Sequence, residues 1–293
     1  MIATTHLRGV LLEAPDLAAA KAFYEDAWGL ESVPSKDATT LYFRGRGDEP
    51  WIFGVARGPQ RRLRRLRLAL ATREAVDAAH EELQHAGVTV VSPPALLPGP
   101  GDYYGLLFKD PDGQFVELSA TPKTAGPGGI AKYLPERMSH VVLNSPTARD
   151  TARFYVDTLG FAVSDWYEKD AIIFLRCNPD HHCIGLSQCE HASLNHVAFL
   201  VDDQGAVLHA GARAGKRGAK SIWGPGRHGP GGNVFDYFED PAGFVVEYTA
   251  ELIQIPPGTP WSAREWEHTP ANANIWRTGG PTRRALELMN GPR

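Results

Sequence analysis

The sequence predicts an α+β fold of two tandem modules, each made of paired βαβββ units curled into a cup-shaped, incompletely closed barrel. Three observations carry this. First, GVLLEAPDLAAAKAFYEDAWGLESV (9 to 33) recurs as HVVLNSPTARDTARFYVDTLGFAVS (140 to 164), an offset of about 130 residues that places Phe23-Tyr24 on Phe154-Tyr155. Self-similarity at a fixed period decides architecture before any local reading does. Second, the copies end alike: FKDPDGQFVELSA (108 to 120) matches FEDPAGFVVEYTA (238 to 250), and D-P-x-G reads as a tight hairpin turn between two strands. Third, TPKTAGPGGIAKYLP (121 to 135) is rich in Gly and Pro and has no periodicity, as expected of a linker.

The elements of the second copy follow from its hydrophobic pattern. A strand is expected near 138 to 144, a helix over 147 to 158, and strands near 161 to 167, 171 to 176 and 182 to 187. The unit then repeats, with a strand at 194 to 200, a helix at 203 to 215 and strands near 219 to 223, 233 to 239 and 243 to 249. In the first copy LRLALATREAVDAAHEELQHAG (66 to 87) corresponds to NHVAFLVDDQGAVLHAGARAG (195 to 215), which sets Arg67 opposite His196. The expected division is 1 to 120 for the first module, 121 to 135 for the linker and 136 to 250 for the second module. Residues 251 to 293 form a tail. Its run IPPGTPWSAREWEHTPANANIW is irregular but carries three tryptophans, which suggests packing on the second module.

Composition bounds the function. With 293 residues, two domains of ordinary size are the prior expectation, and 43% hydrophobic and 22% charged residues describe an ordinary globular protein. A net charge of −4 argues against nucleic acid or an anionic membrane as partner. The N-terminus lacks a basic start followed by an apolar core, and no apolar stretch is long enough to span a bilayer, so a cytoplasmic location is expected. Cys177, Cys183 and Cys189 are odd in number and lack CxxC spacing, and are read as reduced thiols.

His140 falls in the first strand of the second module, His196 in the first strand of its second half and Glu247 in the last strand. If the halves curl into one cup, the three side chains converge. Two histidines and one carboxylate are the ligands of the facial triad of non-haem Fe(II) oxygenases, which leaves positions open for substrate and O2. A lone strand histidine is most often structural; the repeat shifts that weighting. The first module has Gly9, Arg67 and Glu117 at the aligned places, and neither glycine nor arginine can ligate a cation. Residues needed only for the fold would be kept in both copies, so the first module is expected to hold no metal. His6 is three positions out of register.

His140, H-H-C-I-G-L at 181 to 186, L-N-H-V-A-F at 194 to 199, G-R-H at 226 to 228 and D-P-A-G-F-V-V-E-Y at 240 to 248 agree in order and spacing with a known family. Over roughly residues 1 to 250 the chain resembles the type I extradiol dioxygenases of the vicinal oxygen chelate superfamily. The resemblance implies that His140, His196 and Glu247 bind Fe(II), or Mn(II) in a minority of relatives. It implies that His182 is the acid/base histidine, and that His228 and Tyr237 hydrogen-bond the bound catecholate. It further implies a catechol-type substrate and O2 as partners, cleavage of the ring beside its hydroxyl pair, and assembly as a homo-oligomer.

Each of these residues also has a plainer reading. His181-His182 could be a surface pair in a turn, His228 a tolerated polar residue in a flexible glycine loop, and Tyr237 an ordinary strand aromatic. His182 is preferred over His181 because alternation along 182 to 187 puts it on the face of Ile184 and Leu186. Ile172, Phe174 and Ile184, with Trp223 near the His228 loop, are the expected apolar lining and favour an aromatic or alkyl substituent over a carboxylate. Two rival functions use the same scaffold. A glyoxalase-like isomerase or lyase should draw ligands from two modules; a metal-free antibiotic-binding protein should lack the whole triad.

Overall fold

A computed structural model describes residues 1–121, 123, 124, 126 and 133–292. The first module runs β1 (His6–Ala14), α1 (Leu17–Ala22), β2 (Glu31–Val33), β3 (Thr40–Arg44) and β4 (Phe53–Arg57). Then come β5 (Arg62–Ala69), α2 (Arg73–His85), β6 (Val90–Leu96), β7 (Tyr104–Lys109) and β8 (Phe115–Ala120). Helix α1 begins at Asp16, whose carboxylate accepts from the Ala18 and Ala19 amides, and continues as a π-helical turn over Phe23–Trp28.

The second module repeats the order. Its first half is β9 (Met138–Ser145), α3 (Ala148–Asp157), β10 (Ala162–Tyr167), β11 (Ile172–Arg176) and β12 (Ile184–Gln188). Its second half is β13 (Ser193–Leu200), α4 (Gln204–Lys216), β14 (Ser221–Arg227), β15 (Val234–Glu239) and β16 (Val245–Ala250). The expected elements of this module are thus present in the expected order. The interval read as a linker lies largely outside the described residues.

Each module is one mixed sheet, ordered β2-β3-β4-β1-β5-β8-β7-β6 and β14-β15-β16-β13-β9-β12-β11-β10-β17, where β17 (Arg264–Trp266) comes from the tail. Neither order closes on itself, so each barrel stays open along one side. The two halves of a module join through the antiparallel first strands, β1 with β5 and β9 with β13. This junction places residues from distant parts of the chain side by side at the middle of each sheet.

The tail is more ordered than its sequence suggests. It contains β17 (Arg264–Trp266), paired in parallel with β10, then α5 (Pro270–Ala273) and α6 (Arg283–Met289). No periodicity announces these short elements because their partners lie in the second module. Trp261 donates to Ser164 O, and Ala285, Leu288 and Met289 of α6 are buried among Ile222, Phe235 and Val245.

The repeated motifs bind the modules to each other. Tyr24 of the first module donates to Asp240 of the second at 2.7 Å, and Tyr155 of the second donates to Asp110 of the first at 3.2 Å. The Phe-Tyr pair of each copy therefore meets the D-P-x-G turn of the other. Trp28, fully buried, stacks on Tyr248 with centroids 3.7 Å apart, and Tyr248 Oη donates back to Trp28 O.

Candidate metal centre

Strand register brings the three candidate ligands together. His140 on β9 pairs with Ala198 on β13, Ala198 pairs with Glu247 on β16, and Glu247 pairs with Tyr237 on β15. Residues directly opposite in a sheet share a face, as do residues two apart on one strand. His140, His196, Glu247 and Tyr237 therefore all point to the concave side.

Among the described residues, His140, His196 and Glu247 are the group whose ligand atoms lie within 4.8 Å of one another. Glu247 Oε2 is 3.1 Å from His140 Nε2 and 3.3 Å from His196 Nε2. The second contact lacks hydrogen-bond geometry, so His196 Nε2 is a buried nitrogen without a hydrogen-bond partner. Such an atom costs free energy unless something binds it. His196 Nδ1–H donates to Asn195 Oδ1 at 2.8 Å, which leaves the Nε2 lone pair aimed inward, as a ligand requires. Burial alone would push the Glu247 carboxyl up, but the rings of His140 and His196 outweigh it and hold it well below the usual carboxylate range. An anionic oxygen and two inward nitrogens suit a divalent cation.

The other three candidates surround this point. His182 packs on His140, with centroids 4.6 Å apart, and on Phe174 at 4.8 Å. Burial, then the neighbouring histidines, lower its pKa well below the ordinary value, so it stands neutral as a base. His228 Nδ1 donates to Ala273 O at 2.7 Å, which frees Nε2 to accept from Tyr237 Oη at 3.0 Å. Burial takes the His228 pKa down to about 4, and burial with the Glu247 charge takes Tyr237 well above its ordinary value. That pair is a neutral imidazole and a protonated phenol.

Several expectations need correction. His182 does not face inward through strand alternation: β12 begins only at Ile184, and Ile184 pairs with Val141 on the face opposite His140. His182 reaches the cavity because it precedes the ladder, whose backbone hydrogen bonds to β9 and β11 begin at Cys183. For the same reason Ile184 sits in the core and does not line the cavity, whereas Ile172, Phe174 and Trp223 do. His181-His182 is no surface pair, since the two side chains are 0% and 3% exposed. His228 directly follows β14 and is pinned by the tail, stacked on Phe235 at 4.0 Å.

In the first module the ladder sets Gly9 opposite Arg67 and Arg67 opposite Glu117. By register Arg67 thus stands at the place of Ala198, and Arg65 at the place of His196. The sequence comparison, which sets Arg67 on His196, is two residues out of this register. Arg67 Nε and Arg65 Nε lie 3.0 Å from the two Glu117 oxygens, so guanidinium groups occupy that carboxylate. Gly9 has φ +154°, and a Cβ there would lie 1.8 Å from Ile52 O, so no side chain fits.

A cavity of about 810 Å³ opens over the triad, lined by His140, His182, His196, His228 and Tyr237. Its far wall comes from the tail, through His268, Thr269, Asn274, Leu286 and Met289. Sequence reasoning missed these residues; the three tryptophans are the one signal that the tail belongs to the site.

Residues 137–248 match the Glyoxalase/Bleomycin resistance protein/Dioxygenase superfamily, and residues 9–119 match the Glyoxalase-like domain. The chain is 31% identical over 277 residues to Metapyrocatechase 2 of Cupriavidus necator, covering 87% of this chain and 83% of that protein. It belongs to the extradiol dioxygenases of this superfamily. The Mn(II)-bound glyoxalase from Novosphingobium aromaticivorans superposes with a TM-score of 0.90 at 36% identity, covering 97% of this chain and 94% of that one. The 2,3-dioxygenase LapB from Pseudomonas sp. KL28 shares the fold, with a TM-score of 0.83 at 18% identity and coverage of 90% and 99%. Among the described residues no helix is long and apolar enough to cross a membrane.

Proposed function

We propose that this extradiol-family chain is a non-haem Fe(II) dioxygenase that opens a catechol beside its hydroxyl pair. The observation that carries the reading is the convergence of His140, His196 and Glu247 under a cavity whose rim holds His182 and the His228–Tyr237 pair. His140, His196 and Glu247 would hold the metal. When bound, it would act as a Lewis acid and a template, holding the catechol oxygens and O2 side by side. With one carboxylate and two neutral imidazoles the site keeps a single positive charge, which favours a catecholate.

The protein's own groups would do the proton work. His182, buried and neutral, would take a hydroxyl proton from the catechol: the O–H bond breaks, its electron pair stays on oxygen, and an N–H bond forms at the ring. Later in the reaction the same proton can be returned. Tyr237, held by His228 Nε2, presents a phenol beside the anionic oxygens. The apolar walls from Ile172, Phe174, Trp223, Leu286 and Met289 exclude water.

The cavity greatly exceeds one catechol ring and sits in the upper part of the usual range for small-molecule sites. A catechol with an aryl or alkyl substituent is therefore the substrate class proposed. A second reading, a glyoxalase-like isomerase using Mn(II), draws support from the name and metal of the Novosphingobium aromaticivorans structure.

One experiment separates the two. Protein reconstituted anaerobically with Fe(II), or separately with Mn(II), is given a panel of substituted catechols and then air in an oxygen electrode. Ring cleavage consumes one O2 per catechol and gives a yellow hydroxy-semialdehyde or hydroxy-ketone. A muconate-type diacid, or no oxygen uptake with either metal, would refute the proposal.

A further inference from the structure

Behind His182 lies a chain of buried polar groups that metal binding does not use. His181 is fully buried, yet its ring joins two partners. Its Nε2 is 3.2 Å from Asp165 Oδ2, and its Nδ1 is 3.1 Å from Nδ1 of His182. Asp165 is itself gripped by the tail: the Arg264 amide donates to Oδ1 at 3.0 Å and Trp266 Nε1 donates to Oδ2 at 2.9 Å. Burial pushes this carboxyl up, but the hydrogen bonds from His181, Trp266 and the Arg264 amide outweigh it and keep it ionised. The Trp261 ring stands edge-on to His181 at 5.6 Å, and the His181 amide donates to Ile253 O.

The direction of each bond follows from the chemistry of the groups. A carboxylate only accepts, so His181 Nε2 carries the hydrogen toward Asp165. In a neutral ring its Nδ1 is then an acceptor, and the hydrogen between the rings belongs to His182 Nδ1. A neutral His182 with hydrogen on Nδ1 has its lone pair on Nε2, the nitrogen with no protein partner among the described residues. Gly231 passes over the pair; a Cβ there would sit 3.1 Å from His182 Cε1 and 3.2 Å from His181 Nδ1, so a side chain at this position would press on both rings.

We infer that Asp165 and His181 are positioning residues that fix His182 in one tautomer and one orientation, with Nε2 open toward the substrate, and that the tail completes this device by holding Asp165. The inference rests on the proposed role of His182. It extends the logic by which a buried carboxylate sets the tautomer of a catalytic histidine, here with a second histidine interposed. It also gives the 251 to 293 tail a task beyond lining the cavity: without β17, Asp165 would lose two of its three donors.

The test reads the tautomer directly. Metal-free protein labelled with 15N at histidine is examined by long-range 1H–15N correlation spectra, with His182→Asn used to assign the signals. The expected result is hydrogen on Nδ1 and a bare Nε2 in His182, with the reverse in His181. Hydrogen on Nε2 of His182 in the wild type would overturn the inference.

In the metal-loaded enzyme, His181→Phe keeps a ring of similar size without nitrogens. It should lower kcat about 10- to 100-fold with little change in KM or metal content. His181→Asn offers an oxygen near the position of Nδ1, and should restore a large part of kcat. Wild-type kcat in His181→Phe, or an equal loss in both variants, would also overturn the inference. If His181→Phe does not fold, the wild-type spectrum decides alone. Expected tautomers in a protein that cleaves no catechol would support the positioning role and reject the ring-cleavage reading, so the two failures are distinguishable.

Discussion

Replacing Tyr24 by Phe removes one oxygen from the module interface and leaves the ring packed against Phe53 at 4.3 Å and Phe43 at 5.6 Å. What is lost is the donor to Asp240 Oδ2 at 2.7 Å, in a fully buried setting. Asp240 Oδ1 keeps the Ala242 and Phe244 amides, at 2.9 and 2.7 Å. Burial raises the Asp240 pKa from 3.8 to about 6, against the pull of these hydrogen bonds. A carboxyl with a raised folded pKa contributes stability that is fully present below its unfolded value near 3.8 and lost as pH rises through about 6. The Tyr24 bond limits that loss by favouring the ionised form, and its removal carries the folded pKa higher still. Tyr24→Phe should therefore destabilise by about 1 kcal/mol at pH 5, where the bond is largely to a neutral acid, and by about 2 to 3 kcal/mol at pH 8. Urea unfolding followed by tryptophan fluorescence measures both, provided the m-value is unchanged. An equal effect at the two pH values, or less than about 0.5 kcal/mol at pH 8, would refute the reasoning.

Three further outcomes are expected. His196→Ala should fold but lose its metal, falling from about one ion per chain to trace occupancy by elemental analysis, because one of three converging ligands is gone. His182→Asn should keep its metal and bind an unreactive catechol analogue with little change, while turnover falls roughly 10²- to 10⁴-fold; loss of the metal would make His182 a ligand or a support for one. Gly9→His should not create a second metal site, since its Cβ would collide with Ile52 O and Glu117 is held by Arg65 and Arg67; metal stoichiometry should stay unchanged while urea stability drops.

The sequence by itself determined the repeat, the order of strands and helices in the second module, and the identity of the triad. These were legible because each depends on near neighbours in the chain or on comparing one copy with the other. Alternation needs only residues two apart, D-P-x-G makes its own turn, and the contrast of His140 with Gly9 needs no coordinates. Register between strands was not legible. The sequence comparison sets Arg67 against His196, two residues away from Arg65, which the ladder puts there. Nor does alternation explain why His182 lies at the cavity, because β12 starts only at Ile184.

Only the tertiary structure decided what surrounds the triad. Tail residues near 270 and 286 form the far wall of a cavity floored by strands reaching back to β9 at Met138–Ser145, and Asp165 meets His181, Arg264 and Trp266 at one carboxylate. No local pattern encodes such meetings, because the free energy that fixes them comes from burying side chains brought together by the whole fold and from satisfying polar groups the fold has already buried. Sequence periodicity records which face of an element is covered; what covers it is settled when the chain closes on itself.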